Sequence, residues 1–185
     1  MPQPPATKTA LTAAVDILAR RLVSRHELRT KLAAKKLFPP REIDAAIVTL
    51  TKMGALHDDY LASDVARSYR SRGYGPARIR MALKKRGIAP ELIEQAIEGA
   101  DDAFSFSTPG DDDGGCDARD EDAENAFTAL KKKTSQLLRE PDVRKRKAKA
   151  VRFLVGRGFS YEDSIGATDR WLRENGAESE EDDES

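Results

Sequence analysis

The chain of 185 residues carries 32 Lys and Arg against 32 Asp and Glu, and only 6% of its residues are aromatic. Because much of the 39% hydrophobic content is alanine, each part of the chain can bury only a thin core, which disfavours the rigid walls of an enzyme active site. The net charge is zero, but the charges are segregated into four blocks along the chain. Residues 1–100 hold 18 basic and 10 acidic residues, 101–126 hold 1 and 10, 127–176 hold 13 and 6, and 177–185 hold none and 6. This segregation favours an electrostatic binding function.

A first group of three helices is predicted over residues 11–56, after a flexible N-terminus at 1–10. Its first helix is marked by four large apolar residues, Leu11, Val15, Leu18 and Leu22, and is expected to stop near Ser24. Ser24 and Glu27 form a capping box at the start of a basic helix over 25–36, which turns Leu28 and Leu32 inward. The third helix begins at Pro39–Pro40, extends over 40–53, and buries Ile43, Ile47 and Leu50.

A second group is predicted over residues 57–100. The turn at 56–59 leads into the fourth helix, whose inward residues are Leu61, Val65 and Tyr69. Pro76 opens a short basic helix over 76–86, since a first helical turn tolerates the missing N–H of proline. Gly87 is expected to end this helix in the left-handed conformation, and Pro90 opens the next. The inward stripe of the basic helix is Ile79, Ala82 and Leu83.

An acidic linker is predicted over 101–122, a third group over 123–174, and an acidic disordered tail over 175–185. The seventh helix is marked by Phe127, Leu130, Leu137 and Leu138. A basic helix over 144–157 follows, and Gly158 ends it. Ser160 with Asp163 caps the last helix, which is expected to end near Leu172 with Trp171 plugging the open end of the group.

The three groups are degenerate copies of one repeat. Aligning Leu32, Leu83 and Leu154 also aligns Lys35, Arg86 and Arg157, then Leu37, Ile88 and Phe159, and, with one extra residue in the first copy, Ile43, Ile93 and Ile165. The first copy departs from the pattern because it carries Lys36 where the others carry glycine. Strand-like alternation is nearly absent, so the sequence predicts an all-α fold: nine helices in an elongated array of three three-helix, helix-turn-helix-like repeats.

Four stretches of the chain resemble the bacterial recombination regulators of the RecX family. They are Ser24–Leu32, Gly54–Ala62, Gly73–Leu83 and Arg152–Phe159, and the resemblance covers nearly everything from Leu11 to Leu172. The acidic insertion around 105–122 and the acidic tail are departures. His57 stands where the family usually has aspartate, which predicts that the helix-capping role there passes to Asp58.

The resemblance implies a modular three-helix-repeat protein that binds the RecA recombinase filament in its helical groove. It implies restraint of strand exchange, of ATP hydrolysis, and of the filament-stimulated self-cleavage of the SOS repressor. It thereby places the chain in DNA repair, DNA recombination and the SOS response.

The basic helices are the predicted contact surface for this partner or for DNA. Most charged helix faces are merely solvated, but these cations recur at one offset from the buried leucine, and residues 76–86 hold five of them with no acid. The predicted partner-binding or DNA-binding residues are Arg25, Arg29, Lys31, Lys35, Arg70, Arg72, Arg78, Arg80, Lys84, Lys85, Arg86, Lys145, Lys149 and Arg152. The alternative function is direct, non-sequence-specific DNA binding, because Asn and Gln for reading bases are scarce.

No catalytic motif, cofactor-binding motif or metal-ligand spacing is recognisable, so we predict neither an enzyme nor a cofactor. The single cysteine, Cys116, lies among aspartates and fits a reducing cytoplasm. The first apolar segment includes Asp16 and Arg20, which predicts no signal peptide, and no apolar run approaches the ~20 residues that span a bilayer. We expect a cytoplasmic monomer without membrane contact.

Overall fold

A computed structural model describes residues 9–99 and 118–175, and the side chains of 118–120 lie outside that description. Ten α-helices and no strand form within the described residues, which confirms the all-α prediction. The helices are α1 (Ala10–Leu18), α2 (Arg25–Ala34), α3 (Pro40–Lys52), α4 (Asp58–Ser71), α5 (Pro76–Lys85), α6 (Pro90–Glu98), α7 (Ala118–Lys131), α8 (Thr134–Leu137), α9 (Val143–Arg157) and α10 (Tyr161–Glu174). The tenth helix is the short α8, which the sequence pattern did not predict.

The chain divides into two compact units. The first contains the residues up to Val65 together with Ala82–Ala96, and the second contains Ala66–Met81 together with the described residues from Ile97 onward. The division falls inside α4 and α5 and near the end of α6, so both units draw on the predicted second repeat.

The core of the first unit forms where α1, α2 and α3 meet, and the structure confirms its predicted α2 and α3 residues. Leu28 and Leu32 of α2 are fully buried, and Ile43, Ile47 and Leu50 of α3 pack in the same cluster. The capping box forms as predicted: the Ser24 hydroxyl accepts the N–H of Glu27, and the Glu27 carboxylate accepts the N–H of Ser24. Pro40 is the first residue of α3.

The predicted end of α1 was wrong, and of the four apolar residues that mark this helix only Leu18 packs, partly buried, against the core. The helix stops at Leu18, and Leu11, Val15 and Leu22 are exposed. The buried face consists instead of Ala10, Ala13 and Ala14. Small side chains allow a close approach of the helix backbone to α3, where Glu42 accepts the N–H of Ala10 at 2.7 Å and so satisfies a helix end.

The core of the second unit is built by α7, α9 and α10. Phe127, Leu130, Leu154 and Trp171 are fully buried there, and the Trp171 indole N–H donates to the Thr134 hydroxyl at 3.0 Å. The predicted seventh helix is interrupted after Lys131. The chain turns at residues 132–133 and forms α8, which buries Leu137 but leaves Leu138 exposed.

Two further expectations need correction. Leu37 was aligned with Ile88 and Phe159, yet Leu37 is 73% exposed while the other two are buried. Helix α7 begins at Ala118, so the last residues of the predicted 101–122 linker are helical. The rest of that linker and the 176–185 part of the tail lie outside the described residues.

Four glycines have positive φ, and one lysine shares their conformation. Gly54, Gly73, Gly87 and Gly158 all have φ between 68° and 93°, and Lys36 has φ 54°. Lys36 therefore ends α2 in the left-handed region that Gly87 and Gly158 use at the aligned positions, at a cost that a side chain imposes and glycine avoids.

We predict that Lys36→Gly raises the free energy of unfolding by roughly 0.5–1 kcal/mol, because relief of left-handed strain outweighs the greater unfolded-state freedom of glycine. Urea unfolding followed by circular dichroism measures the change. Lys35→Gly is the matched control, since Lys35 has φ −70° and gains nothing from glycine. Equal effects of the two substitutions would contradict the assignment of strain to Lys36.

Candidate interaction surface and the joints between repeats

The middle helix of the second repeat ends against the start of the middle helix of the first. The Ser24 hydroxyl, at the N-cap of α2, donates to the carbonyl of Arg86. The Arg86 guanidinium reaches back to the carbonyl of Leu22 at 2.9 Å and to both carboxylate oxygens of Glu27 at 3.1 and 3.3 Å. We call this set of contacts the first joint; all of it lies within the first unit.

An equivalent joint lies within the second unit, between the start of α5 and the end of α9. The N–H groups of Gly75 and Ala77 donate to the carbonyls of Arg157 and Gly158 at 3.0 and 3.1 Å. The Arg157 guanidinium donates to the carbonyls of Arg72 and Gly73 at 2.6 and 3.3 Å. The same guanidinium lies 4.9 Å from the ring centroid of Tyr74, a cation–π distance. We call this set the second joint.

Both joints provide partners for unsatisfied backbone groups at helix ends. In the second joint N–H groups at the start of α5 donate to the last carbonyls of α9. In the first joint the donors to carbonyls are side chains, the Ser24 hydroxyl and the Arg86 guanidinium. The opposed partial charges of the two helix ends also attract one another. The sequence alignment of Arg86 with Arg157 therefore reflects a shared structural role.

A glycine follows each arginine because the joint is too tight for a side chain. A Cβ on Gly158 would stand 2.6 Å from the backbone nitrogen of Arg78, and one on Gly87 would overlap His26. Lys36 occupies the aligned position in the first repeat. At the other end, α2 and α5 begin seven residues before Leu32 and Leu83, whereas α9 begins eleven before Leu154. Helix α9 therefore has about one extra turn at its start.

The ion pair of the first joint lowers the pKa of Glu27. Partial burial alone would raise this pKa, but the hydrogen bonds from Arg86 and from the N–H of Ser24, with the positive charges of Arg86 and Arg21, outweigh that effect. The carboxylate is therefore held in its ionised form, in which it accepts bonds from both partners.

Asp58 caps a different helix from the one predicted. It is the first residue of α4, and its carboxylate accepts the N–H of Arg25 at 2.9 Å, at the start of α2. The expectation that Asp58 takes over the cap of its own helix is wrong, since the carboxylate is turned to the neighbouring helix and is buried there.

Two of the fourteen predicted contact residues are occupied inside the fold. Arg86 belongs to the first joint and its side chain is 21% exposed. The side chain of Arg70 is 11% exposed and donates to the carbonyl of Ile97 at 2.7 Å while lying 3.5 Å from the Asp122 carboxylate. Burial raises the pKa of Asp122, an effect that the charge of Arg70 only partly offsets. That these two arginines touch a partner stays a prediction, one that would require them to leave internal bonds.

Five others are at the surface or half-buried, with neighbours of their own. Arg25 lies 3.9 Å from Asp58, Arg29 forms a 2.7 Å ion pair with Asp44, and Lys145 lies 3.9 Å from Asp142. Arg80 is exposed and interacts electrostatically with Asp122, and Lys31 is half-buried. Exposed pairs of this kind are weak and exchange easily with a partner's charges.

The remaining seven are exposed and have no carboxylate within 4 Å among the described residues. They are Lys35, Arg72, Arg78, Lys84, Lys85, Lys149 and Arg152. We call them the open cations. They lie on the middle helices α5 and α9 or at the ends of α2 and α4. An exposed cation without a partner retains its full attraction for an anionic surface.

Sequence reasoning missed Arg157 as a joint residue, although the signal was present in its alignment with Arg86. Within residues 9–99 and 118–175, no three His, Cys, Asp or Glu side chains form a group that could hold a metal ion, and no helix is long and apolar enough to cross a membrane. Cys116 and the 111–113 aspartates lie outside this range.

Family models match the chain three times, in order. The first, second and third three-helix domains of RecX match residues 10–50, 58–97 and 120–164. A regulatory protein RecX of Thermus thermophilus is 35% identical over 150 residues, covering 81% of this chain and 83% of that protein. The chain belongs to the RecX family.

Two further proteins are similar to most of this chain. The regulatory protein RecX of Escherichia fergusonii is 35% identical over 168 residues, covering 86% of this chain and 89% of the relative. The RecX crystal structure from Lactobacillus salivarius superposes with a TM-score of 0.70 at 22% identity, covering 89% of this chain and 94% of that one, which establishes the shared fold. The resemblance found in the sequence is thus confirmed.

We predict that Gly158→Ala lowers the free energy of unfolding by about 2 kcal/mol or more, because it adds a Cβ against the backbone of Arg78 and forces a left-handed residue. Gly156→Ala, two residues earlier on α9, has nothing within 4 Å of the added Cβ and should gain about 0.5–1 kcal/mol from helix propensity. Thermal unfolding of both variants tests the difference, and equal stabilities would refute the tight second joint.

We predict that Glu27→Gln destabilises the protein at pH 7 by about 1 kcal/mol or more, because it removes a charged partner of Arg86. A carboxylate with a lowered folded-state pKa contributes stability that is fully present above its unfolded value of 4.5 and is lost as the pH falls through the folded value. The gap between wild type and variant should therefore narrow on acidification in urea titrations at several pH values. A gap that is constant with pH would show that the carboxylate charge is irrelevant.

Proposed function

We propose that the chain binds the RecA recombinase filament in its groove and inhibits the recombinase and SOS coprotease activities of that filament. Membership of the RecX family supports a regulatory role, and the observation that carries the partner assignment is the set of open cations on or beside successive middle helices. A filament of protein and nucleic acid offers acidic side chains and phosphates, both of which attract such cations.

Inhibition of the filament follows from the presence of the chain in its groove. A chain lying in the groove obstructs incoming DNA and the repressor, and it favours whichever filament state it binds more tightly. The joints support this role because they fix the ends of neighbouring middle helices against each other, so the cations are carried on ordered helices rather than on loops. No covalent chemistry is required, and we propose a non-enzymatic protein that acts as a monomer in the cytoplasm.

Direct binding to DNA is the second candidate. The open cations are lysines and arginines, and these side chains commonly contact the phosphates of DNA. This observation favours direct DNA binding. Binding of this kind should weaken steeply with ionic strength, since each neutralised phosphate releases counterions. Groove docking should retain affinity from apolar contacts and should require recombinase.

We predict that Lys145→Glu with Lys149→Glu weakens filament binding roughly tenfold, or about 1.4 kcal/mol. Both side chains are exposed and one turn apart on α9, and glutamate near a helix N-terminus should not harm the helix. Co-sedimentation with recombinase on single-stranded DNA and a non-hydrolysable nucleotide, across a salt series, measures the affinity, and inhibition of filament ATP hydrolysis gives a second readout.

Arg41→Glu with Arg67→Glu is the matched control. It changes the net charge equally at exposed positions on α3 and α4, away from the middle helices, and should retain binding. Equal losses in both variants would reduce the effect to net charge and overturn the assigned surface. The wild-type chain could instead bind DNA with the same affinity when recombinase is absent. If the α9 variant then loses this binding, the second candidate is favoured.

A further inference from the structure

The third repeat has an open groove between α9 and the start of α10. Its volume is about 530 Å³, within the range of binding pockets. The floor is aliphatic, formed by Ala148, Val151, Val155 and Ile165, and Tyr161 stands at its edge. Val155 is 46% exposed and Tyr161 is 68% exposed, so the fold itself leaves these apolar side chains uncovered.

The rim of this groove is positively charged. Arg144, Lys147 and Arg152 line it. Lys147 is neutralised by Asp169 at 2.7 Å, whereas Arg144 and Arg152 have no carboxylate within 4 Å in the described part of the chain. The acidic residues of the first turn of α10, Glu162 and Asp163, are not among the lining residues. The groove therefore joins an apolar floor to Arg152, which is one of the open cations, and to Arg144, whose positive charge acts on the neighbouring Asp142.

A second groove, in the first unit, provides a contrast. It has a similar volume of about 560 Å³ and includes the exposed Val48. Its arginines are already paired, Arg25 with Asp58 and Arg29 with Asp44. The two grooves are similar in volume, but among the described residues Arg144 and Arg152 form no ion pair within 4 Å, whereas Arg25 and Arg29 do.

We propose that the groove between α9 and α10 binds an acidic segment of a partner protein that carries a large apolar side chain. Arg144 and Arg152 select aspartate or glutamate, and the aliphatic floor accepts the apolar side chain. A phosphate backbone cannot supply both an anionic and an apolar group. From Arg144 to Val155 the helix provides about 16 Å, enough for roughly five extended residues. This inference rests on the proposed function and takes the recombinase as the partner that supplies the segment.

Photocrosslinking identifies the occupant. Benzoylphenylalanine replaces Tyr161, and in a control chain it replaces Tyr60 of α4, which is 60% exposed and lies outside both grooves. Each full-length chain is first sedimented with recombinase filaments on single-stranded DNA, and the bound fraction is then irradiated. We expect position 161, and not position 60, to crosslink to a recombinase peptide rich in Asp or Glu.

Each other crosslinking result would overturn the inference. Crosslinks from position 161 to DNA would make nucleic acid the occupant, and crosslinks to residues 100–117 or 176–185 of the same chain would make it an internal segment. Equal crosslinking from both positions, or none from position 161 in a bound complex, would show that the groove is empty. If the wild-type chain fails to sediment with the filament, the proposed function falls and this inference falls with it.

A substitution pair tests the groove independently. Val155→Glu places a negative charge on the apolar floor, where it would repel the acidic residues of the partner segment. This substitution should weaken filament binding at least tenfold. Val48→Glu makes the same change at a comparably exposed valine in the other groove and should leave binding within twofold. Both chains are checked for unchanged helicity by circular dichroism. Equal affinities of the two variants would overturn the assignment.

Discussion

The contact between the end of one middle helix and the start of the preceding one is the interaction on which this structure depends. Two such joints occur, and each uses an arginine followed by a glycine in the left-handed conformation. Helix ends carry unsatisfied backbone groups that must find partners when they are buried. In a protein with a thin, alanine-rich core, this backbone pairing supplies order that side-chain packing alone would not provide.

The basic residues of this protein have two different roles, because some belong to the joints and others are open cations. Arg86 and Arg157 use the planar guanidinium to bond several acceptors at once, a geometry that lysine cannot reproduce. The open cations are free of such bonds and include lysines as well as arginines. In the first repeat the aligned positions are occupied by Lys35 and Lys36, and Lys35 is one of the open cations.

The thin core has a consequence at the surface. Helices that bury alanines and a few leucines leave larger aliphatic residues exposed, among them Val48 and Val155. An exposed apolar side chain next to an open arginine suits a partner with both acidic and apolar groups. The third repeat provides this combination, whereas in the other groove Arg25 and Arg29 are paired with Asp58 and Asp44.

The sequence by itself determined the all-α class, the family, the helix starts at Ser24 and Pro40, and the buried leucines of the middle helices, because capping residues and helical periodicity act over a few neighbouring positions. Only the tertiary structure decided that α1 buries its alanines, that Asp58 caps α2, and that Arg70 and Arg86 turn inward. Those outcomes depend on which residues distant in sequence come within bonding distance, and local patterns do not encode such distances. A surface arginine and a joint arginine look the same in one sequence until the acceptor that faces each is known.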